Sequence, residues 1–400
     1  MNVNSLLGKS LLGICCSLLT GAAIADKWSG NIAAEILTFP KKPLSEDLHD
    51  YYLSASVENE YKHQWDNGHQ WFNFKSFFRG NQYDSRRSHF DIRELNVGYA
   101  GEKWEVIAGI SKVYWGVTES QHLVDIVNQT DLVENLDTED KLGQPMLNIA
   151  YVADQGTLNM FLLPVFRERA FLGKEGRPST PLVVDQDNER YEADIKYHDL
   201  DFAVRWFQYL GDWEIGLSHF SGTSRTPELV LTPTGTTSPP LLTPVYHQIE
   251  QTGLELQGAY GAWLWKLEAI RNTGFSEHAY MAAVSGFEYT FVLESGVEIG
   301  TLIEYIYDER GNKAPTQFQD DLLFGTRITF NDVQSTQILA GVITDLDGGA
   351  RSYNLEASRR LGSSWKVELE ARGVYDSRPG DFLYSFRRDN SIRLNLALYF

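Results

Sequence analysis

From Trp28 to Phe400 the chain repeats one pattern, apolar and polar residues alternating with a period of two, and few architectures can use it. Trp365, Val367, Leu369 and Ala371 alternate with Lys366, Glu368, Glu370 and Arg372. Ile392, Leu394, Leu396, Leu398 and Phe400 alternate with Arg393, Asn395, Ala397 and Tyr399, and Trp263, Trp265 and Leu267 oppose Lys266 and Glu268. Each segment has one apolar face and one charged face. A soluble β-sandwich shows the same alternation. Three features choose against it: segments of about 9–12 residues, the length of a tilted membrane-spanning strand; Trp, Tyr and Phe at their ends, as at membrane interfaces; and a final strand that closes on an aromatic residue, Phe400.

The connections alternate as well. Short ones fall at 65–68, 100–103, 154–156, 210–212, 260–262, 294–296, 331–333 and 361–363, and Gly, Asn and Asp dominate them, as tight hairpins require. Longer polar ones fall at 40–50, 80–88, 116–145, 166–189, 222–248, 273–279, 308–321, 346–351 and 376–390. Long outer loops and short inner turns are the rule of bacterial barrels. Reading Tyr191 to Tyr209 as one strand keeps the alternation and an even count. The expectation is an all-β transmembrane antiparallel β-barrel over 26–400, of about 18 strands, with 16 the alternative.

Residues 1–25 read as a secretory signal. Lys9 precedes the apolar run from Leu11 to Leu19, and Ala23-Ile24-Ala25 forms a cleavage site before Asp26. A lipoprotein signal at Cys15 or Cys16 is disfavoured by Ile14 and by the A-x-A site. Cleavage after Ala25 removes both cysteines and one positive charge, taking the formal charge from −19 to −20. That charge argues against nucleic acid.

A barrel this wide cannot be filled by its own side chains. The lumen candidates are the polar partners in the alternation: Lys75, Arg79, Glu94, Glu105, Arg205, Glu214, Glu255, Lys266, Glu268, Glu298, Glu304, Arg327, Glu356, Glu368, Glu370, Arg372 and Arg393. Facing lipid, each Lys or Arg at mid-depth would cost roughly 2–4 kcal/mol. They therefore line a wet pore or, alternatively, brace a plugged barrel as an ionic network. Acids lead slightly, favouring cations. In loop 116–145, Leu123, Ile126 and Val127, then Leu132, Val133 and Leu136, recur at helical spacing, suggesting one or two short helical turns. A loop of this length with its own pattern is usually functional. It either folds into the lumen, with Glu119, Asp125, Asp131 and Glu134 toward the aqueous path, or caps the outside.

Enzymatic chemistry finds no support. There is no H-E-x-x-H, phosphate-binding loop or mature Cys, and no cofactor or metal is expected. Ser218 and His219 are adjacent on a strand and so point to opposite faces. Asp345-Leu346-Asp347-Gly348-Gly349 lacks the later calcium ligands and reads as a turn. Arg86-Arg87 and Arg387-Arg388 lie by outer loops, where lipopolysaccharide phosphates are natural partners. Thr232 to Pro244 reads as irregular.

Phe166-Arg167-Glu168-Arg169, Trp263-Leu264-Trp265-Lys266-Leu267-Glu268 and Glu356-Ala357-Ser358-Arg359-Arg360-Leu361-Gly362 resemble stretches of a proteobacterial family of Gram-negative outer-membrane, porin-type β-barrels. The resemblance implies an outer-membrane location and channel function, without a substrate. In architecture the chain also resembles polysaccharide-export and substrate-specific porins of about 18 strands. The expected function is passive diffusion of small polar solutes or ions through a channel narrowed by 116–145. Outer-membrane lipid and lipopolysaccharide are the expected surroundings, and a homo-oligomer is compatible with the barrel. The alternatives are a polymer-export duct, which needs a basic lumen, and a closed structural or assembly barrel, which needs ion-paired lumen charges.

Overall fold

The computed structural model describes residues 26–180, 182–192, 200–234, 239–275, 277–314, 316 and 318–400; the signal sequence and its cleavage site lie outside them. Tight hairpin turns at Gly, Asn and Asp alternate with long loops in reversing the chain, and an 18-stranded antiparallel sheet closes on itself. Its first part comprises β1 (Lys27–Thr38), β2 (Tyr51–Trp65), β3 (Gln70–Asn81), β4 (His89–Ala100), β5 (Trp104–Ser111), β6 (Gln144–Ala153) and β7 (Gly156–Leu163). Three short loop strands, β8 (Arg190–Tyr191), β11 (Glu228–Thr232) and β12 (Leu241–Tyr246), form a separate small sheet. Between them in sequence come the barrel strands β9 (Asp201–Leu210) and β10 (Trp213–Thr223). The wall continues with β13 (Gln248–Tyr260), β14 (Trp263–Thr273), β15 (Tyr280–Val292), β16 (Glu298–Asp308) and β17 (Asp320–Thr329). It ends with β18 (Gln337–Asp345), β19 (Arg351–Leu361), β20 (Trp365–Tyr375) and β21 (Ser391–Tyr399). Closure comes from β1 pairing with β21, from Asn31 opposite Tyr399 to Thr38 opposite Ile392.

Outward positions are apolar: Ile32, Ile36, Leu53, Leu217, Phe324, Leu369 and Leu394 are all exposed on the wall. Trp28, Trp65, Trp104, Trp213, Tyr260, Trp263 and Trp365 ring the short-turn end, and Tyr51, Phe90, Tyr305, Tyr307, Tyr353 and Tyr375 the long-loop end. An apolar band between two aromatic belts is the surface a bilayer selects. The segment read as one strand from Tyr191 to Tyr209 crosses the wall once, as β9, while residues 193–199 lie outside the described set.

Where irregular chain is expected after Thr232, β11 and β12 pair as a hairpin, its tip at 235–238 outside the described residues. Asp345 Oδ1 accepts the Asp347 and Gly348 N–H groups at 2.8 and 2.9 Å, making 345–348 a side-chain-braced turn. The long loops are also tied together. Arg177, with no exposed side-chain surface, bonds Asp389 at 2.6 Å, and its Nη2 donates to the carbonyls of Lys41 at 2.7 Å and Arg388 at 2.6 Å. One guanidinium thereby joins the loops after β1, β7 and β20.

Candidate functional site

The loop between β5 and β6, residues 112–143, lies inside the barrel. Its apolar residues Trp115, Val124 and Val127 are buried against inward residues of the wall such as Phe161, Phe220, Ile249 and Ile270. The helical spacing of Leu123, Ile126 and Val127 produces no helix. Isolated turns form instead, such as Asp125 N–H to His122 O at 3.3 Å and Glu134 N–H to Asp131 O at 3.3 Å. The wall supplies the apolar surface that a helix would otherwise have needed.

Backbone N–H groups of the loop are met by wall carboxylates. Glu268 on β14 accepts from Val117 N at 2.7 Å, Thr118 N at 2.9 Å, Thr118 Oγ1 at 2.7 Å and Val124 N at 3.2 Å. Glu304 on β16 accepts from Glu119 N, Ser120 N and Ser120 Oγ at 2.8, 2.8 and 2.7 Å. Glu255 on β13 takes Gly116 N at 3.0 Å and also pairs with Arg205. A buried carboxylate is tolerable only with such partners. Glu268 and Glu304 are therefore covered by the loop, 0% and 1% exposed, where an open lumen would have left them in water.

Two of the four loop acids, Asp125 and Asp131, are buried away from the open space, while Glu134 borders it in the grip of an arginine. Asp125 lies beside Lys141 at 3.3 Å, Asp131 is buried near His89, and Glu134 makes a two-toothed contact with Arg79 at 2.8 and 2.7 Å. Glu119 is partly exposed and paired with Arg327 at 2.6 Å. Arg79 also reaches Glu35 at 3.3 Å. Arg87, expected on the surface for lipopolysaccharide, is buried and paired with that same Glu35 at 2.8 Å, and its Nε donates to the loop carbonyl of Val133 at 3.0 Å. Only Arg86 of that pair is exposed, bonded to Asp187.

The remaining lumen candidates stand in ion pairs or half-exposed. Lys75 meets Glu58 at 3.1 Å and lies opposite Glu94, Glu368 takes Lys366 at 2.6 Å, and Glu370 joins Arg372 and Arg393. Arg372 also bridges to Glu356 at 3.3 Å and to Asp137 of the loop at 2.8 Å. Glu105, Glu214, Lys266 and Glu298 are half-buried and make no ion pair among the described residues. Ser218 and His219 stand on opposite faces, His219 beside Thr252 at 3.0 Å.

With the loop pinned to β13, β14 and β16, the space left open lies against the other side of the wall, from β17 through β21 to β3. It is a cavity of about 580 Å³. Glu35, Glu58, Glu134, Asp137, Asp140, Glu356, Glu368 and Glu370 line it, facing Arg79, Arg93, Arg327, Lys366 and Arg393. Sequence reasoning missed Glu35, Glu58, Arg93, Asp137 and Asp140, and left Lys366 out of the lumen set. Glu35 could have been found, as the charged member of the inward set Asn31, Ala33, Glu35, Leu37. Arg93 could not: a β-bulge where Lys75 and Ser76 face Glu94 and Ile92 turns it inward out of phase. Its guanidinium lies 3.7 Å over the Phe77 ring.

Protons bear on how firmly the loop is held. Burial opposes charge on His122, but Glu139 and Glu268 overcome it and hold the ring protonated up to about 10. Burial pushes Asp125 up to about 6 despite Lys141, and Asp140 up to about 6 despite Arg93. Glu134, although buried, is held below the ordinary carboxylate value by Arg79, and Glu139 is held below it by His122. Groups raised in the docked state favour docking while protonated, and lose that contribution as pH rises through about 6 for the two aspartates and about 10 for His122. Glu134 and Glu139 act the other way, their contribution fading below the ordinary 4.5. Docking is therefore firmest near 4.5 and weakens toward about 6 as Asp125 and Asp140 lose their protons. Current noise in bilayer recordings is expected to rise on going from pH 5 to pH 7.5 and again near 10; a flat profile would sink this account.

No family model and no curated protein matches the chain. Solved structures do. A closed 18-strand antiparallel barrel crossed inside by a long loop is the fold of a porin-type barrel. OccK3 (OpdO) of Pseudomonas aeruginosa aligns with 94% of this chain and 96% of its own at 9% identity, TM-score 0.56. OccK11 (OpdR) of the same organism aligns over 94% and 95% at 10% identity, TM-score 0.52. A mutant of Rh. blastica porin aligns over 94% and 100% at 12% identity, TM-score 0.44.

Proposed function

We propose that the protein is an outer-membrane channel for passive diffusion of small polar solutes or ions, with loop 112–143 as its constriction and the signal removed after Ala25. One observation carries the reading: wall carboxylates hold a loop across a wide lumen and leave a charged, off-centre cavity along one side. The similarity to OccK3 and OccK11 agrees with it, as do the apolar band and aromatic belts, which suit a lipopolysaccharide-containing outer membrane. Solutes move down their gradient, and cavity width and its charges set selectivity. The carboxylates outnumber the basic groups around the cavity, and Asp137 and Asp140 sit on the loop itself. A modest preference for cations follows.

Single-channel recording in a planar bilayer tests this directly. Steady openings and a reversal potential shifted toward the cation equilibrium value are expected in a salt gradient. Silence from protein shown to be folded would overturn the open channel. The many ion pairs in the lumen favour the second reading, a closed structural barrel, in that event. A polymer-export duct is disfavoured by the acidic balance.

A further inference from the structure

Many charges in the lumen stand in ion pairs, whereas the outer rim carries a cluster of cations alone. Lys41 and Lys42, just after β1, and Arg387 and Arg388, just before β21, surround an open hollow of about 620 Å³ at the long-loop rim of the seam. None of the four makes an ion pair among the described residues. Four cations converging without a carboxylate repel one another, so the fold must hold them there.

It does so through the backbone. Lys41 Nζ donates to Arg387 O at 3.0 Å, and Arg388 Nη1 to Lys42 O at 3.4 Å, so the two segments cross-brace. Beneath them the buried Arg177 donates to the carbonyls of Lys41 and Arg388 and occupies Asp389, the one acid adjacent in sequence. The Arg387 guanidinium stacks 3.9 Å over Tyr384, which fixes its plane. Leu44 and Phe382, in the same two loops, are 58% and 49% exposed.

From this arrangement we infer that Lys41, Lys42, Arg387 and Arg388 form a binding site for a phosphate-bearing ligand on the outer rim. Lysine ammoniums and arginine forks on a fixed frame supply the charge-assisted bonds that phosphate oxygens accept. The exposed Leu44 and Phe382 suit a ligand with an apolar part. The phosphate can come from a lipid headgroup or from a soluble phosphate compound. The lipid source alone rests on the outer-membrane reading; the site itself does not.

The test is isothermal titration of the refolded full chain in neutral-detergent micelles. The probes are inorganic pyrophosphate, diphosphoryl lipid A and the same lipid stripped of phosphate. Against the parent, the combined variant Lys41→Gln, Lys42→Gln, Arg387→Gln, Arg388→Gln is expected to weaken phosphate-probe binding about tenfold or more. Arg86→Gln, which removes an exposed outer charge paired elsewhere, is expected to leave it within about twofold. Loss of both probes supports a general phosphate site, loss of lipid A alone a headgroup site, and loss of pyrophosphate alone a site for soluble phosphates. Equal affinity in a folded quadruple variant, or equally tight binding of the stripped lipid, overturns the proposal. Conductance of the same preparations reports separately on the channel reading.

Discussion

Deleting residues 119–136 is expected to raise single-channel conductance about twofold or more, because the loop fills the part of the lumen that the wall cannot. The segment carries Val124 and Val127 against the wall and Glu134 against Arg79. Without it, Glu304 loses all three of its loop donors and Glu268 loses the Val124 N–H, opening that side of the lumen to water, which a barrel of this width readily admits. The strands themselves keep their pairings, and a heat-resistant folded band on a gel would show that they do. Conductance at the parent level from such a folded protein would mean that the current is limited elsewhere.

The second large effect needs only two side chains. Glu268→Ala with Glu304→Ala removes the acceptors of seven hydrogen bonds from the loop, five of them backbone N–H groups. Hydrogen bonds to charged groups contribute about 1.5–3 kcal/mol each, and buried donors left unpaired are penalised further. The docked loop is then expected to share the population with displaced forms, seen as a new, larger conductance state with frequent transitions. Gln at the same positions keeps an acceptor oxygen and is expected to fall between parent and Ala. Traces from the Ala variant that match the parent would show that apolar packing alone holds the loop.

The wall of the barrel was legible because its signals are local. Each hairpin declares itself in adjacent residues such as Tyr260-Gly261-Ala262, and each strand by its own alternation, so an even count of 18 needed only Tyr191 to Tyr209 to be taken as one strand. The interior was not legible, since an inward carboxylate on a strand looks the same whether it meets water, a cation or a loop backbone. Glu268 and Glu304 stand in the same phase as Glu298, yet they cap amide groups some 150 and 185 residues earlier in the chain. The loop spacing of Leu123, Ile126 and Val127 yields only isolated turns, because those side chains pack against the wall of the barrel and need no longer amphipathic helix. Arg177 and Asp389, 212 residues apart, carry no sequence signal of their meeting.

The pairing of β1 with β21 also decides how the molecule can be made. Every other neighbour in the wall is joined by a hairpin or one loop, but this contact unites the two extremes of the chain, Asn31 with Tyr399. The entropy of bringing together ends so far apart is about 5 kcal/mol on a logarithmic loop-closure law, and no local turn offsets it. Until it forms, the sheet has two long edges with unsatisfied amides, which in hydrocarbon cannot persist and in water invite pairing with other copies. Folding must therefore end in one concerted zippering of the first and last strands, and high contact order makes that step slow.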